Sequence, residues 1–338
     1  MLKEALLYEK MAENRVRCHL CNHHCKIHEG KRGICGVREN QGGNLYSLVY
    51  GKIIADHIDP IEKKPLFHFL PGSTAFSIGT VGCNFRCKFC QNFDISQYPH
   101  DHGGKIAGQD QTPEQVVASA QAARCETIAY TYNEPTIFFE FAYDTAILAH
   151  KAGIKNVFVS NGYMSADAAH QMAPHLDAIN IDLKAFTDKF YKEICGARLQ
   201  PVLETIHRMK ALGVWVEVTT LIIPGLNDAK DELREIARFV KSVGDEVPWH
   251  VTAFYPTYQL KDRPPTSATT LRLAREIGLE EGLRYVYEGN VPGEAGENTY
   301  CPECGVNVIE RSGFGFVRNR IKDGKCPACG RTIDGVGL

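Results

Sequence analysis

The chain has 338 residues, and its 38 basic and 40 acidic side chains leave a formal charge of −2. That balance gives no global attraction to nucleic acid, and no apolar run approaches the roughly 18 residues that a membrane span requires. Residues 1–5 lack the apolar region of a signal peptide, so we expect a cytoplasmic protein with one large domain and small appendages.

The cysteines are concentrated in three groups of tight spacing, which hold eleven of the 13. In a cytoplasmic chain, such CxxC-type spacing indicates metal binding far more often than a disulfide. Cys125 and Cys195 stand outside the groups, and we interpret both as packing residues.

The first group lies in a predicted N-terminal module, residues 1–70. Its members are Cys18, Cys21, Cys25 and Cys35. Four thiolates suffice for a zinc ion and equally for a complete [4Fe–4S] cluster, and the spacing does not separate the two. We interpret this group as a zinc site and keep an auxiliary cluster as the alternative.

Residues 71–295 form the predicted core, in which short β-rich runs alternate with longer helical patterns. The predicted strands are 75–80, 127–130, 156–160, 178–183, 214–221, 249–254 and 284–288. The predicted helices start near 112 and then cover 136–152, 166–173, 201–212, 228–243 and 267–282. Repeated alternation predicts an α/β fold with a parallel sheet and right-handed crossovers. We expect a partial (β/α)6-type TIM barrel, with an open doubly wound sheet as the alternative.

The second group, Cys83, Cys87 and Cys90, sits on a short loop directly after the first core strand. Three thiolates can hold three irons of a cubane cluster, whereas a closed [4Fe–4S] site needs four. The fourth iron is then left open for a substrate or cofactor. The alternatives are a zinc site or unconnected core cysteines.

Polar motifs follow the predicted strands, where functional groups gather in a barrel. They include Asn133-Glu134-Pro135, Ser160-Asn161-Gly162 and Asp182-Leu183-Lys184. Asp182 and Lys184 lie two positions apart on a strand and therefore point to the same face. His250, on the sixth strand, is either a proton carrier lining the pocket or a hydrogen-bonded core histidine.

The third group occupies a predicted C-terminal domain, residues 296–338. It consists of Cys301, Cys304, Cys326 and Cys329, paired across a short predicted hairpin of strands 306–311 and 314–318. Four thiolates on two tight turns form a closed tetrahedral site, which favours structural zinc, with rubredoxin-type iron as the alternative. The sequence therefore predicts a zinc ribbon.

The CxxxCxxC loop, with aromatic Phe89 before its last cysteine, resembles that of the radical S-adenosylmethionine (SAM) superfamily over about residues 75–290. The resemblance implies a [4Fe–4S] cluster on Cys83, Cys87 and Cys90, with SAM bound to the open iron. It also implies reductive cleavage of SAM to a 5′-deoxyadenosyl radical, which abstracts hydrogen from a substrate that the sequence does not identify. The protein then supplies binding and orientation.

Within that superfamily the core is similar to pyruvate formate-lyase activating enzymes. Their Gly-Gly-Glu-Pro motif, which binds the SAM amino group, is matched by Tyr132-Asn133-Glu134-Pro135, so Glu134 keeps the acid while the glycines are replaced. Their Asp-Leu-Lys motif makes Lys184 a candidate for the SAM carboxylate, and an arginine that they carry on a strand is Thr219 here. The SAM-binding candidates are Phe89, Asn133, Glu134, Ser160, Asn161, Asp182, Lys184 and His250.

Three further stretches, 18–38, 59–69 and the C-terminal ribbon ending in Gly335-Val336-Gly337, resemble the radical SAM component of the AmmeMemoRadiSam system. That resemblance implies Memo-like and AMMECR-domain protein partners and a reductase such as flavodoxin or ferredoxin. It leaves two kinds of hydrogen donor open: a glycine of a partner protein, or a small molecule or other partner side chain. A non-catalytic iron–sulfur or zinc interaction protein is the hypothesis of a different class.

Overall fold

A computed structural model describes residues 2–291 and 295–338. Seven short strands open the chain and form two three-stranded antiparallel sheets and part of a two-stranded one. They are β1 (Lys3–Glu4), β2 (Tyr8–Lys10), β3 (Val16–Cys18), β4 (Lys26–Ile27), β5 (Arg38–Gln41), β6 (Asn44–Ser47) and β7 (Lys52–Ile53). These strands are too short to show the alternation of polar and apolar residues from which strands are predicted.

An eight-stranded sheet forms the centre of the molecule, and its strands lie side by side in the order of the sequence. They are β8 (Ala55–Pro60), β9 (Thr74–Gly79), β11 (Thr127–Tyr130), β12 (Lys155–Ser160), β13 (Ala178–Asp182), β14 (Trp215–Ile222), β15 (Trp249–Ala253) and β16 (Val286–Gly289); β10 (Gln109–Asp110) pairs with β7 instead. Every neighbouring pair from β9 to β16 is parallel, while β8 runs antiparallel to β9. A doubly wound sheet reverses its strand order, so that alternative is excluded.

Helices connect the parallel strands, as predicted. They are α1 (Phe93–Ser96), α2 (Tyr98–Asp101), α3 (Pro113–Ala122), α4 (Phe139–Lys151), α5 (Ala166–Met172), α6 (Asp188–Phe190), α7 (Gln200–Ala211), α8 (Lys230–Val243) and α9 (Ala268–Glu280), with a π-helical turn at Tyr191–Cys195. Thr112 starts α3 with a capping box, in which its hydroxyl accepts from the Gln115 amide and the Gln115 side chain accepts from its own. No helix among the described residues is long and apolar enough to cross a membrane.

The sheet curls into a partial barrel, as the sequence predicted. Residues following the first parallel strand (Cys83) and the last (Asn290) line the same cavity, of about 330 Å³, together with residues from the strands between them. In an open barrel the carboxyl ends of all strands converge in this way. The strand order therefore places the polar motifs around one mouth.

Strand β8 was assigned by the sequence analysis to the N-terminal module, yet it joins the central sheet through six residue pairs with β9. Its middle residues are exposed, including Ile58 at 57%. An exposed edge strand lacks the apolar alternation that marks a strand in the sequence. This is why the hairpin of β8 and β9 was not predicted.

The C-terminal ribbon, residues 299–338, packs across the gap between the edge strands. It contains β17 (Thr299–Tyr300), β18 (Asn307–Ser312) and β19 (Gly315–Asn319), which include the predicted hairpin. Arg311 enters the gap, donating to the Phe67 carbonyl at 2.7 Å and to the Thr299 hydroxyl at 2.8 Å. The Leu70 amide donates to the Val336 carbonyl at 2.8 Å. The ribbon is thus part of the barrel wall.

Candidate active site

The cysteine loop, residues 83–90, is held by backbone hydrogen bonds to the π-helical turn. The Arg86 amide donates to the Cys195 carbonyl at 2.8 Å, and the Lys88 amide donates to the Ile194 carbonyl at 3.0 Å. All three thiols of the loop line the cavity, with Cys87 buried and the other two half-buried. The backbone of the loop is therefore held while its sulfurs face one space.

Asn133 ties the start of the cysteine loop to the strand end beside it. Its amide donates to the Gly82 carbonyl at 2.9 Å and the Thr80 hydroxyl at 3.2 Å, and its carbonyl accepts from the Thr80 amide. The preceding residue, Tyr132, has φ of +67°, a conformation that favours glycine. Tyr132 thus adopts a backbone conformation that a glycine takes without strain.

Glu134 lies at the cavity wall with 1% of its surface exposed. One carboxylate oxygen accepts from the Ser160 hydroxyl at 2.8 Å and from Thr136, and the other accepts from the Asn161 amide at 2.7 Å. Burial raises the pKa of Glu134, although these hydrogen bonds oppose the shift. The carboxylate therefore joins the exits of two neighbouring strands into one rigid anionic corner.

Asn161 extends that corner to the cysteine loop. Its side-chain amide donates to Asn84 Oδ1 at 2.7 Å and lies 3.9 Å from the sulfur of Cys83. Ser160, the last residue of β12, and Asn161, which follows it, both line the cavity.

On the opposite side of the loop, Lys184 and Asp182 form an ion pair with a distance of 2.9 Å between Nζ and Oδ2. The Lys184 ammonium lies 5.7 Å from the ring centre of Phe89. Burial opposes the charge on Lys184, but Asp182 and the neighbouring thiols Cys87 and Cys195 raise its pKa well above the usual value. A fixed cation therefore faces the cavity beside the cysteines.

Cys195 lies against the cysteine loop, a position that the sequence analysis did not assign to it. The Cys195 thiol and the nearby Lys184 ammonium both favour the thiolate of Cys87 and lower its pKa in spite of burial. Cys195 itself is fully buried, and burial raises its own pKa. No spacing rule links a single cysteine to a group more than a hundred residues earlier, so the sequence carried no signal for this contact.

His250 contacts the cavity from the inner face of β15, and it is paired. Its Nε2 lies 2.7 Å from Glu217 Oε2, and its ring stacks on Tyr287 at 5.2 Å between centres. Glu217 also accepts from the amides of Phe67 and His68. Burial favours the neutral acid, yet the bond from His250 lowers the pKa of Glu217. His250 therefore lines the cavity and is hydrogen-bonded, and its role as a proton carrier stays a prediction.

Part of the cavity lining was missed from the sequence. The segment after β8 contributes Glu62 and Lys63, the turn before the ribbon contributes Glu297, and the ribbon contributes Phe314. The stretch 59–69 was noticed only for its family likeness, because nothing in it marks a strand exit. Phe314 lies at the tip of the predicted hairpin, and an aromatic residue at that tip was the signal available in the sequence. In the structure its side chain is half exposed to solvent.

The four sulfurs of the ribbon converge as expected for a tetrahedral metal site. Sγ of Cys301 lies 3.6 Å from that of Cys329, and Sγ of Cys304 lies 3.7 Å from that of Cys326. All four lie within 4.8 Å of one another. Thiolates around one zinc ion at about 2.3 Å are separated by about 3.8 Å. The set could hold a single metal ion.

The sequence and the fold of the core match a known superfamily. A sequence model described as the radical SAM superfamily matches residues 77–240. The chain belongs to this superfamily and is related to its activating enzymes, and it is therefore an enzyme.

Similar proteins extend over different shares of the chain. An uncharacterized protein of Methanocaldococcus jannaschii, MJ0808, is 49% identical and covers 98% of this chain and 99% of its own length. The pyruvate formate-lyase-activating enzyme of Clostridium pasteurianum is 23% identical over 48% of this chain and 67% of its own. The crystal structure of Streptococcus suis SuiB bound to precursor peptide SuiA shares the fold, with a TM-score of 0.51 and 15% identity over 68% of this chain and 51% of that one.

Proposed function

We propose that Cys83, Cys87 and Cys90 hold the [4Fe–4S] cluster of this radical SAM enzyme and that SAM lies in the adjoining cavity between Glu134 and Lys184. One observation carries the assignment: the three thiols, the anionic corner at Glu134 and the Lys184–Asp182 pair line the same cavity of about 330 Å³. Such a cluster supplies one-electron cleavage of the sulfonium and a 5′-deoxyadenosyl radical when SAM is bound.

The two charged groups on either side of the cysteines suit the two ends of an amino acid. Glu134, buried and fixed by four donors, offers its carboxylate to the SAM ammonium. Lys184 offers its ammonium to the SAM carboxylate, and Asp182 holds that ammonium in place. Asn133 and Asn161 position the cysteine loop.

The donor set fits a cubane better than a single ion. The three sulfurs of Cys83, Cys87 and Cys90, all described residues, do not all lie within 4.8 Å of one another. Thiolates bound to separate irons of a cubane are spaced by roughly 6 Å, whereas those on one zinc ion are much closer. The loop also offers three thiols rather than four, which leaves one iron for SAM.

The hydrogen donor is proposed to lie deeper in the cavity, between β14 and the segment after β8. Two buried oxygens there have no hydrogen-bond partner within the chain, Oγ1 of Thr219 and Oε2 of Glu62. Buried polar atoms require partners, so a substrate that donates hydrogen bonds satisfies both. We therefore infer a polar donor, either a small molecule or the side chain of a partner protein.

A glycine of a partner protein is the second candidate for the hydrogen donor. Its support is the likeness to the pyruvate formate-lyase-activating enzyme of C. pasteurianum. The replacement of an expected arginine by Thr219 favours the first candidate. Memo-like and AMMECR-domain partners stay a prediction, which co-purification with the tagged chain tests.

Formation of 5′-deoxyadenosine tests the function. The chain is reconstituted anaerobically with iron and sulfide, reduced with dithionite and incubated with SAM, and the products are separated by chromatography. We expect slow release of 5′-deoxyadenosine without added substrate, lost in Cys87→Ala and kept in Cys125→Ala, which removes a buried thiol outside the cavity. A fully loaded chain that forms none contradicts the proposal.

We further propose zinc for the ribbon, because its sulfurs lie at the separation that zinc requires. Cys326→Ser is expected to lose about one zinc per chain and to lower the melting temperature, since metal binding contributes to folding. Elemental analysis and calorimetry measure the two effects. One iron in place of zinc in the ribbon of aerobically purified protein would contradict the assignment.

A further inference from the structure

The N-terminal cysteines differ in geometry from those of the ribbon, although both groups have four members. The four ribbon sulfurs lie within 4.8 Å of one another, but no three of the sulfurs of Cys18, Cys21, Cys25 and Cys35, all of them described residues, meet the same limit. One zinc ion holds its thiolates about 3.8 Å apart, whereas a cubane holds them roughly 6 Å apart. The N-terminal sulfurs are therefore not gathered around one point as the ribbon sulfurs are.

A small cavity lies between these four sulfurs. Besides the cysteines, apolar side chains such as Leu20, Ile27 and Ile137 form its wall. Arg38 also lines it, with 2% of its surface exposed and its Nε without a hydrogen-bond partner. An unpartnered buried donor calls for an acceptor, and the inorganic sulfide of a cluster is one.

The N-terminal set also touches the cysteine loop of the active site. The carbonyl of Cys35 lies so close to Gly82 that a Cβ there would be 2.9 Å away. On the other side, the His23 ring nitrogen lies 2.7 Å from the Asn84 carbonyl. A through-bond path for an electron therefore runs along the chain from Cys21 to His23, crosses one hydrogen bond to Asn84, and continues along the chain to Cys83. Cys21 and Cys25 are half-buried, which brings this set near the surface.

We infer that Cys18, Cys21, Cys25 and Cys35 hold a second [4Fe–4S] cluster, which passes electrons to the cluster of the active site. This goes beyond the proposed function and replaces the zinc interpretation of these residues. A low-potential one-electron donor, such as reduced ferredoxin or flavodoxin, is oxidised as the second cluster goes from the 2+ to the 1+ state. That electron then reduces the cluster on Cys83, Cys87 and Cys90, and no bond forms or breaks in either step.

Metal content tests the cluster independently of SAM chemistry. The full chain carrying Cys83→Ala, Cys87→Ala and Cys90→Ala is reconstituted and analysed for iron, sulfide and zinc. We expect about four irons and four sulfides per chain, with an electron paramagnetic resonance (EPR) signal after reduction. Two zinc ions per chain with less than one iron would overturn the inference, even if the wild-type chain cleaves SAM.

EPR of the reduced wild-type chain tests the closeness of the two clusters. We expect the two spins to broaden each other's signals when both clusters are reduced, and the signal of the triple variant to lack that broadening. Two independent signals whose sum is the wild-type spectrum would contradict a relay.

Reduction kinetics test the relay itself. With reduced ferredoxin as donor, Cys21→Ala/Cys25→Ala is expected to slow reduction of the active-site cluster at least tenfold. If that variant does not fold, His23→Phe keeps all four thiols, and a smaller decrease in the same direction is expected, with the iron content unchanged. A ferredoxin rate equal to that of the wild type in a folded variant overturns the relay.

Discussion

At the scale of single residues, Lys184 is the clearest test of how SAM is held. It is nearly buried, paired with Asp182 and directed at the cavity. Because a hydrogen bond to a charged group contributes about 1.5–3 kcal/mol, Lys184→Met is expected to weaken SAM binding about 10- to 100-fold. Anaerobic equilibrium dialysis of the reconstituted protein measures the dissociation constant.

Lys192 provides the matched control. It also pairs with an aspartate, Asp188, but on the surface, with 63% of its side chain exposed. Lys192→Met is expected to leave SAM affinity unchanged. An unaltered dissociation constant for Lys184→Met would show that the SAM carboxylate is bound elsewhere.

Cys195 leads to a prediction about the reduction potential of the active-site cluster. Its thiol favours the thiolate of Cys87 and so stabilises the more negative, reduced state. Removing an interaction of about 1 kcal/mol, as in Cys195→Ala, should lower the potential by about 40 mV for a one-electron step. A redox titration followed by EPR measures the shift, with Cys125→Ala as control. A higher potential would contradict the assignment.

Residues that repeat at a fixed spacing could be predicted from the sequence, whereas residues brought close by the fold could not. The spacing of Cys83, Cys87 and Cys90 indicated a metal site. Glu134 and Lys184 were identified by their positions after strands. Glu62 and Cys195 reach the site through a hairpin and a π-helical turn that no local pattern marks.

At the scale of elements, a buried ion pair fastens the N-terminal module to helix α4. Both terminal nitrogens of Arg38 bind Glu140, at 2.9 and 3.1 Å, and both side chains are almost fully buried. Glu140→Gln leaves the guanidinium without its charge partner. We expect a loss of about 3–5 kcal/mol in the free energy of unfolding, measured by denaturant titration.

Lys3 and Asp144 join the same two parts of the molecule at the surface, with 45% and 35% of their side chains exposed. Exposed pairs contribute less than about 1 kcal/mol, so Lys3→Met is the control. Equal losses in both variants would show that the burial of the Arg38 pair does not matter for stability.

The elements of the core were predictable because burial on both faces of a parallel sheet imposes long apolar runs. All seven predicted core strands and the helices between them are present, with shifts of at most three residues at their ends. The N-terminal strands and β8 could not be predicted, because they are short or exposed. Their pairing partners, rather than their own composition, make them strands.

At the scale of the whole molecule, acid should weaken the contact between barrel and ribbon. His68 is fully buried, with its ring nitrogens 2.6 Å from the Asp334 carbonyl and 2.5 Å from the Tyr287 hydroxyl. Burial lowers its pKa from 6.5 to about 4. As the pH falls, the unfolded chain therefore takes up this proton before the folded chain does. The contribution of His68 to the free energy of unfolding is fully present above pH 6.5 and falls by roughly 3 kcal/mol towards pH 4.

Urea unfolding at pH 7 and pH 4.5 measures this dependence. His68→Gln is expected to be less stable at pH 7, and its free energy of unfolding should depend less steeply on pH. His170→Gln, at an exposed position, should keep the pH dependence of the wild type. His23, whose pKa burial also lowers, contributes in the same direction. An unchanged slope in His68→Gln would place the acid sensitivity elsewhere.

The closure of the barrel by the ribbon has a consequence for biosynthesis. Residues 299–338 leave the ribosome after all eight strands of the sheet, and until then Arg311 and Phe314 are missing from the wall. A nascent chain thus exposes its cysteine loop, residues 83–90, through an open side. We expect cluster insertion to be easiest at that stage, before residues 299–338 close the gap.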